Sequence, residues 1–210
     1  MQMTHTEKQR YQLRKQPKQA RARATVQAVL DAAAQILVTR SYSDASTNVI
    51  AERAGVSIGS LYEYFPGKEA IFAELRRREG IKHYRSITRE PRPSNPRDML
   101  RHLVTQHVQF VSSNLALYVA LETEVPRFAI AEQEMAVLAD YVPQSNAFLQ
   151  THREQLRPHN NIAFITELLM RVVTATVNDY ALRAPEYLRS EELTESLIDL
   201  LSRYLLNEAA

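Results

Sequence analysis

The stretch from Ser46 to Phe65, STNVIAERAGVSIGSLYEYF, limits the possible folds of this 210-residue chain more than any other feature. Ala51, Gly55 and Leu61 have the spacing of two short helices that cross at a tight turn. Ala51 is small enough for a close crossing, Gly55 can adopt the left-handed conformation that ends a helix, and Leu61 can fill the crossing point. The stretch therefore predicts a helix-turn-helix, whose second helix enters a DNA major groove.

The composition excludes several classes of protein. The chain has no cysteine, which excludes disulfide frameworks and thiol catalysis and agrees with a reducing cytoplasm. It has only 4 glycines and no tryptophan, which argues against an all-β fold with many tight turns. No apolar run approaches the roughly 18 residues of a membrane span, and the N-terminus lacks the apolar core of a secretory signal. We expect a cytoplasmic protein without a membrane partner.

Charge is distributed unevenly along the chain. Residues 1–90 contain 16 Lys and Arg against 9 Asp and Glu, whereas residues 91–210 contain 10 against 15. A basic N-terminal part attracts a polyanion such as double-stranded DNA, and an acidic C-terminal part does not. Random variation of surface charge would explain the same asymmetry, so the asymmetry agrees with DNA binding without requiring it.

Apolar periodicity and helix caps divide the chain into three parts. Residues 1–22 are basic and poor in aliphatic side chains, which predicts a flexible arm. Residues 23–67 predict a three-helix head in which Ser46 and Ser57 cap the second and third helices. Residues 68–210 predict a helical body.

No alternating strand pattern and no internal repeat is present, so the predicted architecture is all-α. Prolines separate or bend the elements of the body. The predicted long helices cover residues 23–39, 68–88, 97–113, 115–125, 128–156, 160–183 and 190–207.

Residues 23–75 resemble the N-terminal domain of TetR-family transcriptional regulators. The matching positions are Ile50-Ala51, Ala54-Gly55-Val56-Ser57, Gly59, Leu61-Tyr62, Tyr64-Phe65 and Lys68-Glu69. The resemblance implies a homodimer with two DNA-binding heads and a C-terminal body that binds a small-molecule effector and dimerises. The sequence departs from the family pattern at Thr47, where an aliphatic residue is usual, and lacks the common glycine before Ser46.

Phosphate contacts are expected from side chains at the helix starts. Lys68 begins a helix, so its charge and the exposed amides can hold one phosphate together. By resemblance, Tyr62 faces DNA and Tyr64 contacts a phosphate while also packing. Ser46 and Thr47 can contact the other strand, although helix capping explains Ser46 equally well.

Base contacts are expected from the short exposed face of the third helix. Gly59 allows close approach of the backbone, Ser60 can donate or accept, and Ile58 can touch thymine methyl groups. Ser57 lies on the same face, and Glu63 is either a cytosine acceptor or a solvated bystander. From the arm, Arg21 and Arg23 can reach the minor groove.

A serine hydrolase is the competing enzymatic interpretation. Gly55-Val56-Ser57-Ile58-Gly59 matches the G-x-S-x-G nucleophile elbow, but that elbow requires a strand before the serine. The residues before it are helical in pattern. The six histidines show no metal-ligand spacing with nearby acids, and no catalytic set stands out, so we expect no enzyme activity, no metal and no cofactor.

Aromatic residues and methionines of the body suit either an ordinary core or an apolar pocket with a few polar anchors. If they line a pocket, the effector is a small hydrophobic or aromatic molecule. The candidate residues are His107, Phe110, Tyr118, Phe128, Phe148, Met170, Asn178 and Tyr180.

Two C-terminal helices are apolar enough to form either a core or a dimer interface. Dimerisation is favoured because helix-turn-helix repressors usually bind two half-sites. The candidate interface residues are Ile165, Leu169, Val172, Val173, Thr176, Leu197, Leu200, Leu201 and Tyr204.

The sequence thus predicts a dimeric transcriptional regulator, a repressor that binds a palindromic operator and is released by a hydrophobic effector. The helix over 68–88 joins head and body, so it would transmit the conformational change from the bound effector to the DNA-binding head. The alternative is an effector-independent DNA-binding adaptor or architectural protein whose helical body binds another protein.

Overall fold

A computed structural model describes residues 10–88, 93–125, 142–158 and 161–207. Within these ranges the chain is helical and contains no strand, which confirms the predicted all-α class; the one bridge joins Leu156 to Leu206. The helices are α1 (Ala20–Thr39), α2 (Thr47–Ala54), α3 (Ile58–Tyr62), α4 (Lys68–Thr88), α5 (Pro96–Ser113), α6 (Leu115–Glu124), α7 (residues 142–151), α8 (Ile162–Arg183) and α9 (Glu191–Leu205). Among the described helices, none is long and apolar enough to cross a membrane.

The described residues form two compact units. The first contains residues 10–80 and 116–125, and the second contains residues 81–115, 142–158 and 161–207.

This division differs from the predicted boundary after residue 67. The first part of α4 and most of α6 pack into the same core as α1–α3, so they belong to the first unit. The assignment of effector binding and dimerisation to the predicted body stays a prediction.

The first unit is built around the buried face of α1. Its apolar side chains recur every three or four residues, so one side of the helix is buried and the other is solvated. Ile50, Leu61 and Phe65 of the helix-turn-helix and Phe72 of α4 are fully buried against this face. These contacts fix the position of α3.

The turn between α2 and α3 has the predicted geometry. Ser46 caps α2 by accepting a hydrogen bond from the Val49 amide at 3.2 Å. Gly55 ends α2 with φ of +66° and ψ of +29°, the left-handed conformation that side chains disfavour. Ala51 and Leu61 are buried at the crossing, as the spacing indicated.

Two glycine substitutions should shift stability in opposite directions. We expect Gly55→Ala to lower the free energy of unfolding by about 1 kcal/mol, because its left-handed φ is strained for any side chain. Gly80→Ala is the matched control, since Gly80 lies inside α4 with open space around an added Cβ and should gain about 0.5–1 kcal/mol. Urea unfolding measures both, and stabilisation by Gly55→Ala would contradict the left-handed cap.

Charged side chains hold the first part of α4 in the first unit. Glu74 is buried and accepts hydrogen bonds from Arg77 at 2.6 and 2.7 Å and from Arg78 at 2.9 Å. Burial alone would raise the pKa of Glu74, but the two guanidinium groups lower it below its usual value. Arg78 also donates to the Gln27 side chain of α1 at 2.8 Å, which ties α4 to α1.

The α6 helix forms one side of the same core. Arg76 of α4 donates to the Leu121 carbonyl at 2.9 Å and pairs with Glu122 at 2.5 Å. The Tyr42 amide, in the loop after α1, donates to Glu124 at 2.7 Å. Four apolar residues of this region complete the packing: Leu117, Ala120, Leu121 and Val125.

In the second unit, α5 packs against α8 and α9. Asn95 caps α5 by accepting from the Asp98 amide at 2.9 Å, and Pro96 occupies the first turn. Asn161 caps α8 by accepting from the Phe164 amide at 3.0 Å.

Two predicted helix boundaries are wrong in the described residues. The helix predicted over 128–156 ends at residue 151, because a short 3-10 turn at Arg153–Gln155 and the bridge at Leu156 follow it; residues 126–141 lie outside the description. The first helix begins at Ala20 rather than at residue 23, since alanines continue the helical sequence in that direction.

Candidate functional site

The exposed face at the start of α3 consists of short side chains. Ser57 and Gly59 are exposed, and Ile58 retains 39% of its surface. The Ser57 hydroxyl accepts from the Ser60 amide at 3.1 Å and hydrogen-bonds the Ser60 hydroxyl at 2.8 Å, which caps the helix. An added Cβ at Gly59 would meet its nearest neighbour at 3.9 Å. The face therefore combines one apolar and two hydroxyl side chains with accessible backbone.

Gly59→Glu should strongly weaken DNA binding without unfolding the protein. Space around Gly59 accommodates a side chain. If α3 enters the major groove as predicted, a carboxylate there would face the bases and phosphates. We expect the Kd for DNA to rise about 100-fold, roughly 2.7 kcal/mol. Fluorescence anisotropy measures it, with Gly80→Glu as a control for the added charge. Unchanged binding by Gly59→Glu would exclude this face from the DNA interface.

Two residues predicted to contact DNA are hydrogen-bonded to each other. The Thr47 hydroxyl at the start of α2 lies 3.0 Å from the Tyr62 hydroxyl at the end of α3. Tyr62 is 39% exposed and Ser46, next to Thr47, is exposed as well. One of the two hydroxyl groups uses its single hydrogen in this bond, so the other one could donate to a phosphate oxygen.

Lys68 has a structural contact that the sequence did not reveal. Its ammonium group donates to the Tyr42 carbonyl at 3.0 Å and lies 4.3 Å from the centroid of the Tyr42 ring. An ammonium group has three N–H donors, so Lys68 can keep its contact with Tyr42 and still donate to a phosphate. The phosphate contact stays a prediction. Tyr64 is partly buried and packs against the first core, as the expected packing role requires.

The described part of the predicted flexible arm packs against the first unit. Leu13 contacts the core, and the Arg14 amide donates to the Tyr64 carbonyl at 2.8 Å. Lys15 pairs with Glu63 at 2.8 Å, which occupies the carboxylate considered for cytosine contact. In the sequence, Leu13 indicates that this segment packs against a core, because it is an aliphatic residue in an otherwise polar segment.

A second ion pair fastens the same segment to α4. Arg10 pairs with Glu69 at 2.6 Å. Burial raises the pKa of Glu69, but hydrogen bonds from its own amide and from Arg10 outweigh that effect and lower it. Basic residues of this segment are therefore placed beside α3 and the start of α4.

Arg21 and Arg23 lie on the first turns of α1 and not on an arm, because α1 begins at Ala20. Both are exposed, and Arg23 donates to the Lys18 carbonyl at 2.6 Å. Their contact with the minor groove stays a prediction.

The G-x-S-x-G match lies in the helix-turn-helix and has no elbow geometry. The helix α2 precedes Ser57, where the elbow requires a strand, and Ser57 caps α3. The described residues also contain no group of three or more His, Cys, Asp or Glu that could hold a metal ion.

Four of the predicted effector-site residues have separate surroundings, and a fifth lies outside the described residues. Tyr118 belongs to the first unit, and Phe128 lies outside the described residues. Phe148 and Tyr180 contact other aromatic rings of the second unit, with centroid distances of 4.3 and 5.5 Å. Met170 is partly buried on α8.

Two of the other three predicted residues, His107 and Phe110, contact His83, which was not predicted as a site residue. Nδ1 of His107 on α5 lies 2.9 Å from Nε2 of His83 on α4, and Phe110 stacks on His83 at 4.3 Å. Asn178 of α8 lies beside His107. Burial lowers the pKa of His107 to about 4, while Asn178 opposes the shift; burial and repulsion by His107 lower the pKa of His83 to about 3.

The predicted dimer residues divide by exposure. Five are buried inside the second unit and form part of its core, which is the alternative that the sequence left open for these helices; these are Ile165, Leu169, Val173, Leu197 and Leu201. Val172 and Thr176 are partly buried, whereas Leu200 and Tyr204 are 59% and 41% exposed. Phe164 on α8 is also exposed, at 57%, and was not predicted. The periodicity identified the apolar helices but assigned their inner faces to the interface.

Family comparisons agree with this geometry in both parts of the chain. The family described as "Bacterial regulatory proteins, tetR family" matches residues 29–75. The family described as "Tetracyclin repressor-like, C-terminal domain" matches residues 95–205. Together these matches cover most of the chain, so it belongs to the TetR family of DNA-binding transcriptional regulators.

Individual proteins with similar sequence or fold include regulators of fatty acid metabolism and of drug efflux. The Fatty acid metabolism regulator protein of Bacillus subtilis (strain 168) is 19% identical over 178 residues, which cover 82% of this chain and 91% of that protein. The crystal structure of FadR from Bacillus subtilis in complex with stearoyl-CoA has a TM-score of 0.67 at 16% identity, with 83% and 96% covered. NalD of Pseudomonas aeruginosa, the secondary repressor of the MexAB-OprM multidrug efflux pump, has a TM-score of 0.71 at 20% identity, with 90% and 98% covered.

Proposed function

We propose that this TetR-family regulator is a homodimeric repressor that binds a palindromic operator in the cytoplasm and releases it when a small hydrophobic effector binds. The observation that carries the proposal is that the chain has two separate features. The exposed face of α3 suits binding to DNA, and the polar site in the second unit, which includes a nitrogen without a hydrogen-bond partner, suits binding of a ligand.

Dimerisation is supported by large apolar side chains left exposed on α8 and α9. Phe164, Leu200 and Tyr204 each keep more than 40% of their surface in the isolated chain. Pairs of opposite charge lie on the same helices, including Arg171 with Glu167 and Arg203 with Asp199. An apolar centre with charged side chains around it is the usual composition of a protein interface.

The hydrophobic effector is supported by composition and by one relative. The second unit buries mainly aliphatic side chains, so an apolar ligand would be bound without unpaired charge. The FadR with a similar fold was crystallised with stearoyl-CoA, most of whose acyl part is apolar. We therefore expect the effector to carry a long apolar or aromatic part.

Selection of genomic DNA fragments by the full-length protein tests the operator. We expect enriched inverted repeats whose half-sites are separated by about one helical turn or a multiple of it. Enrichment of isolated half-sites would contradict dimeric recognition. Tyr62→Phe, which removes a hydroxyl only, should weaken binding to every sequence to the same degree.

Release is tested by measuring operator affinity with bound effector. A ligand that prefers the non-binding conformation must lower operator affinity, and DNA must lower ligand affinity by the same factor. Unchanged operator affinity at saturating ligand would favour the effector-independent adaptor.

A further inference from the structure

The two buried imidazoles of the second unit form a polar group on an apolar helix face. His107 is only 5% exposed, and its neighbours on the inner side of α5 are Leu100, Leu103, Val104, Val108 and Val111. Its Nδ1 atom lies 2.9 Å from Nε2 of His83, so one ring donates a hydrogen bond to the other. The opposite nitrogen of His83, Nδ1, is buried and has no hydrogen-bond partner among the described residues, whereas His107 is hydrogen-bonded by the Asn178 side chain of α8.

Either arrangement of protons leaves Nδ1 of His83 unpaired. If His107 donates to His83, Nδ1 of His83 carries a free N–H group. If His83 donates to His107, Nδ1 of His83 is a free acceptor. Unpaired buried polar atoms cost free energy, and a ligand that pairs with them recovers it.

We propose that His83 and His107 form the polar end of the effector site and select an uncharged hydroxyl group on an apolar molecule, such as a phenol or a long-chain alcohol. This inference rests on the proposed function, because it assigns a chemical class to that effector. A hydroxyl group donates and accepts, so it pairs with Nδ1 of His83 in either arrangement. A carbonyl oxygen only accepts, and therefore pairs with a given nitrogen in one arrangement of the two.

Charge separates the hydroxyl class from carboxylic acids. Burial keeps both imidazoles neutral near pH 7, since their pKa values are lowered to about 3 and about 4. A carboxylate placed against them would be a buried charge without a cation. A metal ion is a poor alternative, because zinc sites use three or four protein ligands and no such cluster exists in the described residues.

The aromatic neighbour favours a ring near the hydroxyl group. Phe110 stacks on His83 with an interplanar angle of 25° and a centroid distance of 4.3 Å. A planar ligand beside this stack would extend it, because offset aromatic stacking is favourable.

Three ligands with one tail test the selection: para-hexylphenol, hexylbenzene and para-hexylbenzoate. Isothermal titration of the full-length protein near pH 7.5 should give at least tenfold tighter binding for the phenol than for either of the others. Nitrogen-15 NMR of the histidine side chains should show that the phenol shifts His83 or His107 resonances. Equal affinities for the three ligands, or no binding of any of them, would overturn the proposal.

A double variant tests the assignment to these two rings. His83→Phe with His107→Phe should bind the phenol no more tightly than the hydrocarbon, because neither imidazole is left to pair with the hydroxyl. His102→Phe on the same helix is the matched control and should keep the preference for the phenol. A preference that survives in the double variant would place the hydroxyl elsewhere.

Operator release is measured separately from ligand selection. If the phenol binds through the histidine pair but operator affinity is unchanged, the inference about selection stands and the proposed release mechanism fails. If another compound releases the operator while the histidine double variant responds normally, the proposed function stands and this inference fails.

Discussion

We expect the Leu200→Glu variant to be monomeric at concentrations where the wild-type protein is a dimer. Leu200 is 59% exposed on α9, and a twofold axis would bring Leu200 of both protomers into one interface. The substitution therefore introduces two carboxylates at once. An unpaired buried charge costs about 3–5 kcal/mol, so the Kd of the dimer should rise at least about 1,000-fold.

Analytical ultracentrifugation over a concentration series measures this change, and binding to a two-half-site operator should weaken with it. Val38→Glu is the matched control, because Val38 is also an exposed aliphatic residue, at 43%, but lies on α1 of the first unit. It should remain dimeric. A Leu200→Glu variant with the wild-type dimer Kd would exclude this part of α9 from the interface.

We also expect the protein to lose stability between pH 7 and pH 5 through the histidine pair. Both rings stay neutral in the folded protein because burial lowers the pKa of His83 to about 3 and of His107 to about 4. In the unfolded chain their pKa is near 6.5, so the unfolded state binds more protons in this range. The free energy of unfolding therefore falls as the pH falls, by about 2 kcal/mol for each ring at pH 5.

Urea unfolding at fixed protein concentration, repeated from pH 7.5 to pH 5, measures the effect. The double variant His83→Phe with His107→Phe should lose most of this pH dependence, while His102→Phe should keep it. Identical pH dependence in the wild type and the double variant would show that the two rings are protonated in the folded state as readily as in the unfolded one.

The helix-turn-helix could be predicted because its determinants are local. The caps at Ser46 and Ser57, the left-handed Gly55 and the plug at Leu61 act within about four residues of each position, and all have the expected geometry. Their spacing is fixed by the backbone, so one sequence is enough to recognise it.

The effector site and the dimer surface could not be predicted as well, because both depend on contacts between distant segments. His83 and His107 are 24 positions apart, and no helical period indicates that their rings meet. Leu200 and Leu201 are neighbours in the sequence of α9, and residue type alone could not show that Leu201 is buried while Leu200 is exposed. The packing of α5 against α8 and α9 determines which face of α9 stays exposed.

The participation of α6 in the first core means that the DNA-binding half is not a portable module. A fragment ending at Gly80 would lack Leu117, Ala120 and Leu121 and would leave Arg76 without the carboxylate of Glu122. Fusion proteins that borrow this recognition helix would therefore need residues from both sides of α5. A single crossover that exchanges the DNA-binding heads of two relatives would also separate residues 10–80 from the α6 residues that complete their core. Residues 10–80 and the segment at 116–125 are therefore expected to change together during evolution.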